Sequence, residues 1–354
     1  MVLRGGIMMT SNKLRVGIAG YGIVGKRRHT FIDENPLFKV TTVCDRAFTM
    51  ANGELENGVH FYNNYKDMLQ SENLDVLFVC LTNDIAAEVT IAGLGKNLHV
   101  FCEKPPGRDL KDIRAVLEVE KKHPKLKLKY GFNHRFHDSV KEAKKIIDEG
   151  QFGRVINIRG VYGKSVMLSY NSDWRTKRDI AGGGILLDQG IHMVDLMRFF
   201  AGEFNEVKSF VSNNYWNYDI EDNAYALMKS EKGIVAMLHS TGTEWRHNFN
   251  LHLTCEKGSL SLSGILSSTK SYGSEQLKLI FKGDKDAGNP KDQTTSYIHD
   301  NSWEEEITDF AEAIKNDKKI NTGSSYDAYK SMELVYKIYC ADNEWSEKYN
   351  ISLE

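Results

Sequence analysis

An aspartate and a histidine four residues apart, Asp188 and His192, stand in the mostly apolar segment "GGGILLDQGIHMVDLMRFFAG". At helical spacing they share one face, with Asp195 three residues further on. An acid and an imidazole on an otherwise apolar helix need polar partners or a cavity. The bland alternative is a satisfied core histidine; the chemical one is an acid/base pair working near neutral pH. Upstream, "FCEKPPGRD" sets Glu103 and Lys104 before Pro105 and Pro106, which stiffen the exit from an apolar run. A lysine there could polarise a substrate oxygen, or Glu103 and Lys104 could be a surface ion pair.

A third element is "GIAGYGIVGKRRH", with Gly20, Gly22 and Gly25 following the extended run "KLRV". Alone, this pattern could be a tight strand-to-helix turn. Twenty-five residues after Gly20 stands Asp45, at the end of the next strand-like run, where a carboxylate can accept from the ribose hydroxyls of a dinucleotide. Gly20 then serves the turn, Gly22 the approach of backbone to the pyrophosphate, and Gly25 the helix–strand packing. Tyr21, Ile23 and Val24 complete the loop, and the free N–H groups of the helix start face the phosphates. Asp45 argues for NAD, since it repels a 2′-phosphate; the adjacent Arg46 leaves NADP open.

The elements that must position these groups are legible as texture. "KLRVGIA", "FKVTTVCD", "LDVLFVCL", "LHVFCEK" and "KLKLKYGF" read as strands alternating with helical segments, hence βαβ units and a parallel sheet. After about residue 150 the chain turns to hairpin-punctuated strands, interrupted by the long helix that carries Asp188 and His192. From Trp303 it returns to helix. The expected fold is an α/β Rossmann domain (13–132) followed by an α+β domain with an open, largely antiparallel sheet (133–302). C-terminal helices (303–354) should pack back toward the first domain.

Composition narrows the class. The 354 residues carry a formal charge of −2, which gives no electrostatic case for nucleic acid or an anionic membrane. The basic run "KKHPKLKLK" reads as a solvated helix end followed by a strand. Five cysteines, an odd number with no CxxC spacing, argue against a metal site and a disulfide framework, and for a reducing cytoplasm. No run approaches the ~20 apolar residues that span a bilayer. The segment before Lys13 reads as a disordered lead-in.

The order and separation of "GYGIVG", "EKPPG" and "GGGILLDQGIHMVD" resemble the Gfo/Idh/MocA oxidoreductase family, and the tail "SWEEEITDFAEAIKND…GSSYDAYKSMELV" resembles its last helices. The resemblance spans about residues 13–342. It implies nicotinamide bound between Lys104 and the Asp188–His192 helix, with Lys104 polarising the substrate hydroxyl. His192 takes its proton as hydride leaves, and Asp188 tunes the site. It also implies a homodimer or homotetramer through the second sheet. Thr82 is present after the fourth strand, but Asn83 stands where relatives carry proline. Asn133, His134 and Arg135 of "GFNHRFHDS" could reach cofactor or substrate; Trp174 and Arg175 could stack on and clamp a substrate, or simply pack. Within the family the chain is most similar to members that oxidise the 3-hydroxyl of UDP-N-acetylhexosamines, with Tyr162, Tyr170 and Arg178 as further candidates. An inositol or aldose dehydrogenase is the alternative. A non-catalytic NAD-binding regulator would keep the glycine loop but would not need Lys104 or His192.

Overall fold

The computed structural model describes residues 13–165, 174–267, 271–283 and 288–354. Tyr170 and the segment before Lys13 lie outside them. The first sheet has seven strands: β1 (Leu14–Ala19), β2 (Phe38–Cys44), β3 (Asn52–Glu54), β4 (His60–Tyr62), β5 (Val76–Val79), β6 (His99–Cys102) and β7 (Leu128–Tyr130). Their order is β3-β4-β2-β1-β5-β6-β7, parallel throughout except for the β3–β4 pair. Five strands are expected from sequence; β3 and β4 are added at the edge. β5 is buried at every residue, as a strand covered on both faces must be. Helices α1 (Ile23–Glu34), α2 (Tyr65–Ser71), α3 (Asn83–Gly95) and α4 (Leu110–Glu120) connect the strands. The strand order reverses between β1 and β5, and ligands of such sheets bind outside the strand ends at that point.

A 3₁₀ turn, Asn133–Phe136, and α5 (Asp138–Asp148) lead to the second sheet. Its strands are β8 (Val155–Gly163), β9 (Phe204–Ser212), β10 (Asn223–Ser230), β11 (Val235–Thr241), β12 (Asn248–Cys255), β13 (Gly258–Ser263), β14 (Glu275–Phe281) and β15 (Asp292–Tyr297). The order is β15-β14-β13-β12-β8-β11-β10-β9, antiparallel apart from the β8–β11 pair, so the expected open, largely antiparallel sheet is present. Helix α6 (Arg178–Ala181) packs on α3, and α7 (Ile191–Ala201) packs on β8 and β11; later in the chain come α8 (Ser302–Lys315), α9 (Ser325–Ala341) and α10 (Asn343–Tyr349). Helix α8 packs on α1, and α9 packs on α4, α7 and β9. Among the described residues no helix is long and apolar enough to cross a membrane.

The expected uninterrupted helix over 183–202 is not what forms. Residues Leu186–Gly190 make a π-helical turn before α7 begins. Such turns are often found at functional sites.

Candidate active site

A cleft of about 640 Å³ opens at the strand-order reversal. Its wall is built first by the glycine loop. Gly20 has φ +94°, and a Cβ there would lie 2.2 Å from the Cys80 carbonyl; a Cβ on Gly25 would lie 1.9 Å from the Gly20 carbonyl. At Gly22 a Cβ would meet nothing within 4 Å, so the loop presents bare backbone to open space. Helix α1 starts there with no side-chain cap and no acidic residue in its first turn, leaving its N–H groups and positive dipole end to an anion.

Asp45 is held by two backbone N–H groups, Tyr21 N to Oδ2 (2.8 Å) and Ala47 N to Oδ1 (2.9 Å). The carboxylate is thereby fixed on the cleft wall, with lone pairs left for hydroxyl donors. Arg46, Ile23, Val24, Thr82 and Asn83 share that wall. The Asn83 side chain donates to the Ala181 carbonyl (2.7 Å), tying α3 to α6. Tyr21 contributes its backbone; its hydroxyl turns to His29 Nδ1 at 2.7 Å. These residues fit a dinucleotide: a cradle without side chains, a free helix start and an anchored acid.

Lys104, Trp174, Arg175 and Asp188 line the same cleft. Lys104 Nζ donates to the Asp188 carbonyl in the π-turn (2.6 Å) and lies 3.9 Å from its Oδ1. Lys164 (3.8 Å) and Arg175 (3.6 Å) approach the same carboxylate. Burial pushes the Asp188 carboxyl up, but Lys104, Arg175 and Lys164 outweigh it and hold it well below the usual carboxylate range. Burial lowers the Lys104 ammonium, and Asp188 and Glu103 partly restore it. Arg175 also lies over the Trp174 ring, 4.4 Å from its centroid.

Glu103 does not pair with Lys104 at the surface. It binds Arg28 (2.7 Å), which also binds Glu306 of α8 (2.7 Å) and sits between Phe101 and Trp303. Burial pushes the Glu306 carboxyl up to about 7, against the pull of Arg28 and Lys129.

His192 is buried, is not a wall residue of the cleft, and makes no hydrogen bond to Asp188. Its ring stacks on His134, centroids 3.7 Å apart, and its Nδ1 is buried without a partner. Burial, then His134, Lys104 and His137, lower its pKa well below the usual value, so it is neutral at pH 7.

Three expectations need correction. Arg135 does not reach the cleft; its guanidinium is buried against Asp195 (2.6 and 2.7 Å) and Asp327 (3.1 Å). Asp195 is consumed by the same pair and by Ser331 (3.0 Å) and so leaves the acid/histidine set. Asn133 is turned inward, donating to Ser302 Oγ (3.0 Å) and meeting His134 Nδ1 (3.2 Å), so it does not line the cofactor cleft. Truncating Arg135 to alanine would leave Asp195 buried beside only part of its partners. The expected loss is about 3–5 kcal/mol of stability, read by urea denaturation, with NADH affinity within a few-fold of wild type.

Sequence reasoning missed Lys164, at the end of β8, and Glu221. The buried Glu221 carboxylate accepts from Gly184 N (2.8 Å), Leu186 N (3.0 Å) and the Tyr339 hydroxyl (2.6 Å). It therefore anchors the start of the segment that carries Asp188. The triple glycine was a signal for it: a Cβ on Gly184 would lie 2.1 Å from the Glu221 carbonyl.

Comparison with known proteins gives the frame for this site. The profile described as "Oxidoreductase family, NAD-binding Rossmann fold" matches residues 14–132, and that of the "GFO/IDH/MocA C-terminal domain" matches 140–261. A levoglucosan dehydrogenase of Pseudarthrobacter phenanthrenivorans is 30% identical over 211 residues, 56% of this chain and about half (54%) of that protein's length. An inositol 2-dehydrogenase of Salmonella typhimurium is 26% identical over 261 residues, covering 72% of this chain and 75% of its own. A D-glucoside 3-dehydrogenase of Escherichia coli is 28% identical over 261 residues, 66% and 71% of the two chains. The solved structure of a levoglucosan dehydrogenase with NADH and levoglucosan shares the fold, with a TM-score of 0.81 at 21% identity over 94% of this chain and 97% of that one. With both halves matched and the fold shared, the chain belongs to the Gfo/Idh/MocA oxidoreductases and carries that family's NAD-binding Rossmann domain.

Proposed function

We propose that the protein is an NAD-dependent dehydrogenase that oxidises a ring hydroxyl of a free sugar or cyclic polyol, or runs the reverse reduction. The observation that carries this is Lys104, bound to the Asp188 carbonyl at 2.6 Å, on the wall of the same cleft that the glycine loop and Asp45 line. Bound NAD supplies the hydride acceptor, so that a carbinol carbon losing hydride and its oxygen losing a proton leave a carbonyl. The Lys104 ammonium stabilises the developing alkoxide. The neutral imidazole of His192, close enough to Lys104 to feel its charge, accepts the hydroxyl proton. Asp188 keeps Lys104 protonated.

Oxidation of the 3-hydroxyl of a nucleotide-linked sugar would use the same groups, with Trp174 and Arg175 on the linked moiety. The names of the relatives, which concern levoglucosan, inositol and glucosides, favour the unlinked class. Purified protein with NAD is expected to generate 340-nm absorbance with members of a panel of inositols, aldoses, levoglucosan and methyl glucosides. Turnover confined to UDP-sugars would reverse the choice of substrate class.

We further propose a homodimer or homotetramer formed through the outer face of the second sheet. Strand alternation leaves Phe210, Tyr225, Leu227 and Met237 exposed there in adjacent registers, Phe210 by 78%. A second copy would cover these rows. Light scattering should give a multiple of the chain mass, and Leu227→Glu should shift it toward the monomer.

A further inference from the structure

His134 lies on the 3₁₀ turn between the two sheets and takes no part in the chemistry above. Its protonation can be read from its neighbours. The Ser302 hydroxyl donates to Asp300 Oδ1 (2.6 Å), so its oxygen accepts from Asn133 Nδ2 (3.0 Å). The Asn133 carbonyl oxygen is then the end that faces His134 Nδ1 (3.2 Å), and Nδ1 must carry the hydrogen. His134 Nε2 is left with its lone pair and accepts from the Tyr162 hydroxyl (3.0 Å). An acid at the far end of the chain thus fixes a neutral imidazole in one tautomer and one plane.

That plane is what His192 rests on. The two rings are 14° from parallel with centroids 3.7 Å apart, and Phe132 meets His192 edge-on at 6.2 Å. The buried Nδ1 of His192 has no hydrogen-bond partner, and no hydrogen bond joins the ring to Asp188. Ring packing, not an acidic partner, sets its orientation.

We propose that His134 is a positioning residue: its locked ring is the platform that holds His192 at the angle from which it meets the substrate hydroxyl. The inference rests on the reading of His192 as proton acceptor. The groups facing His192 are Lys104 from the end of β6, His134 from the 3₁₀ turn and His137 just after it, His137 being held by Glu275 of β14 (2.8 Å). Removing His134 admits water beside His192 and relieves the burial that lowers its pKa. Neutral His192 is then present only at higher pH, and the acid limb of kcat/KM moves up.

The test uses the full chain. His134→Ala should lower kcat by about 100-fold through loss of orientation, with NADH affinity within twofold of wild type and the acid limb displaced upward. His134→Phe keeps an aromatic plate and should recover at least about tenfold of that loss. Tyr162→Phe removes one hydrogen bond of the lock and should cost about fivefold in kcat. If His134→Ala does not fold, the Phe and Tyr162 variants decide: Phe close to wild type and Tyr162→Phe impaired support the platform. Wild-type kcat and pH profile in His134→Ala, or His134→Phe slowed by 100-fold or more, overturn it. His192→Ala, assayed alongside, separates the premises. If it retains full turnover, the proton-acceptor reading fails and takes this one with it. If it collapses turnover while His134→Ala does not, only the platform fails.

Discussion

Replacing His192 by alanine is expected to lower kcat by about 10²–10⁴-fold, the range that a positioned general base contributes. NADH affinity, followed by fluorescence titration, should stay within a few-fold of wild type, because His192 is buried and is not part of the cleft wall lined by the glycine loop and Asp45. The pH profile carries the sign. Burial, then His134, Lys104 and His137, lower its pKa, so the base form persists below the ordinary histidine range and the wild-type rate should hold well under pH 6.5. In His192→Ala that acid limb should be absent or reassigned, since no imidazole at this position titrates. Full turnover in the variant would leave hydride transfer without this base and refute its role.

The glycine loop, "EKPPG" and the triple glycine were legible because each is local: the turn, its acid and the helix start lie within a few dozen residues and have types that little else explains. The parallel character of the first sheet followed from the alternation of apolar runs and helices. The short edge strands β3 and β4, three residues each with Gly53 at one centre, carry no periodicity to find. The π-turn at Leu186–Gly190 was invisible because a run of only five residues, Leu-Leu-Asp-Gln-Gly, fits a period of 3.6 as well as a wider one. Arg135 was misassigned for a different reason: its partners, Asp195 and Asp327, lie 60 and 192 residues away in sequence. The Arg28–Glu306 pair spans 278 residues, and no spacing rule reaches that far.

Lys104→Ala should cost about 10²–10³-fold in kcat, the range for removing one donor from a developing oxyanion. The geometry explains why a neighbour cannot substitute. Lys164 and Arg175 lie 3.8 and 3.6 Å from the Asp188 carboxylate, whereas Lys104 donates to the Asp188 carbonyl at 2.6 Å, next to Glu103 at the end of β6. The variant should also lose the alkaline limb of kcat. Burial lowers the Lys104 pKa, so the wild-type enzyme should begin to lose rate below the ordinary lysine range, as the ammonium gives up its proton. Asp188 raises that pKa; in Asp188→Asn the restoring charge is gone, the ammonium deprotonates at lower pH, and the alkaline limb should move down. An Asp188→Asn profile displaced upward, or a Lys104→Ala enzyme with the wild-type alkaline limb, would show that the limb belongs to another group and that Lys104 is not the donor to the reacting oxygen.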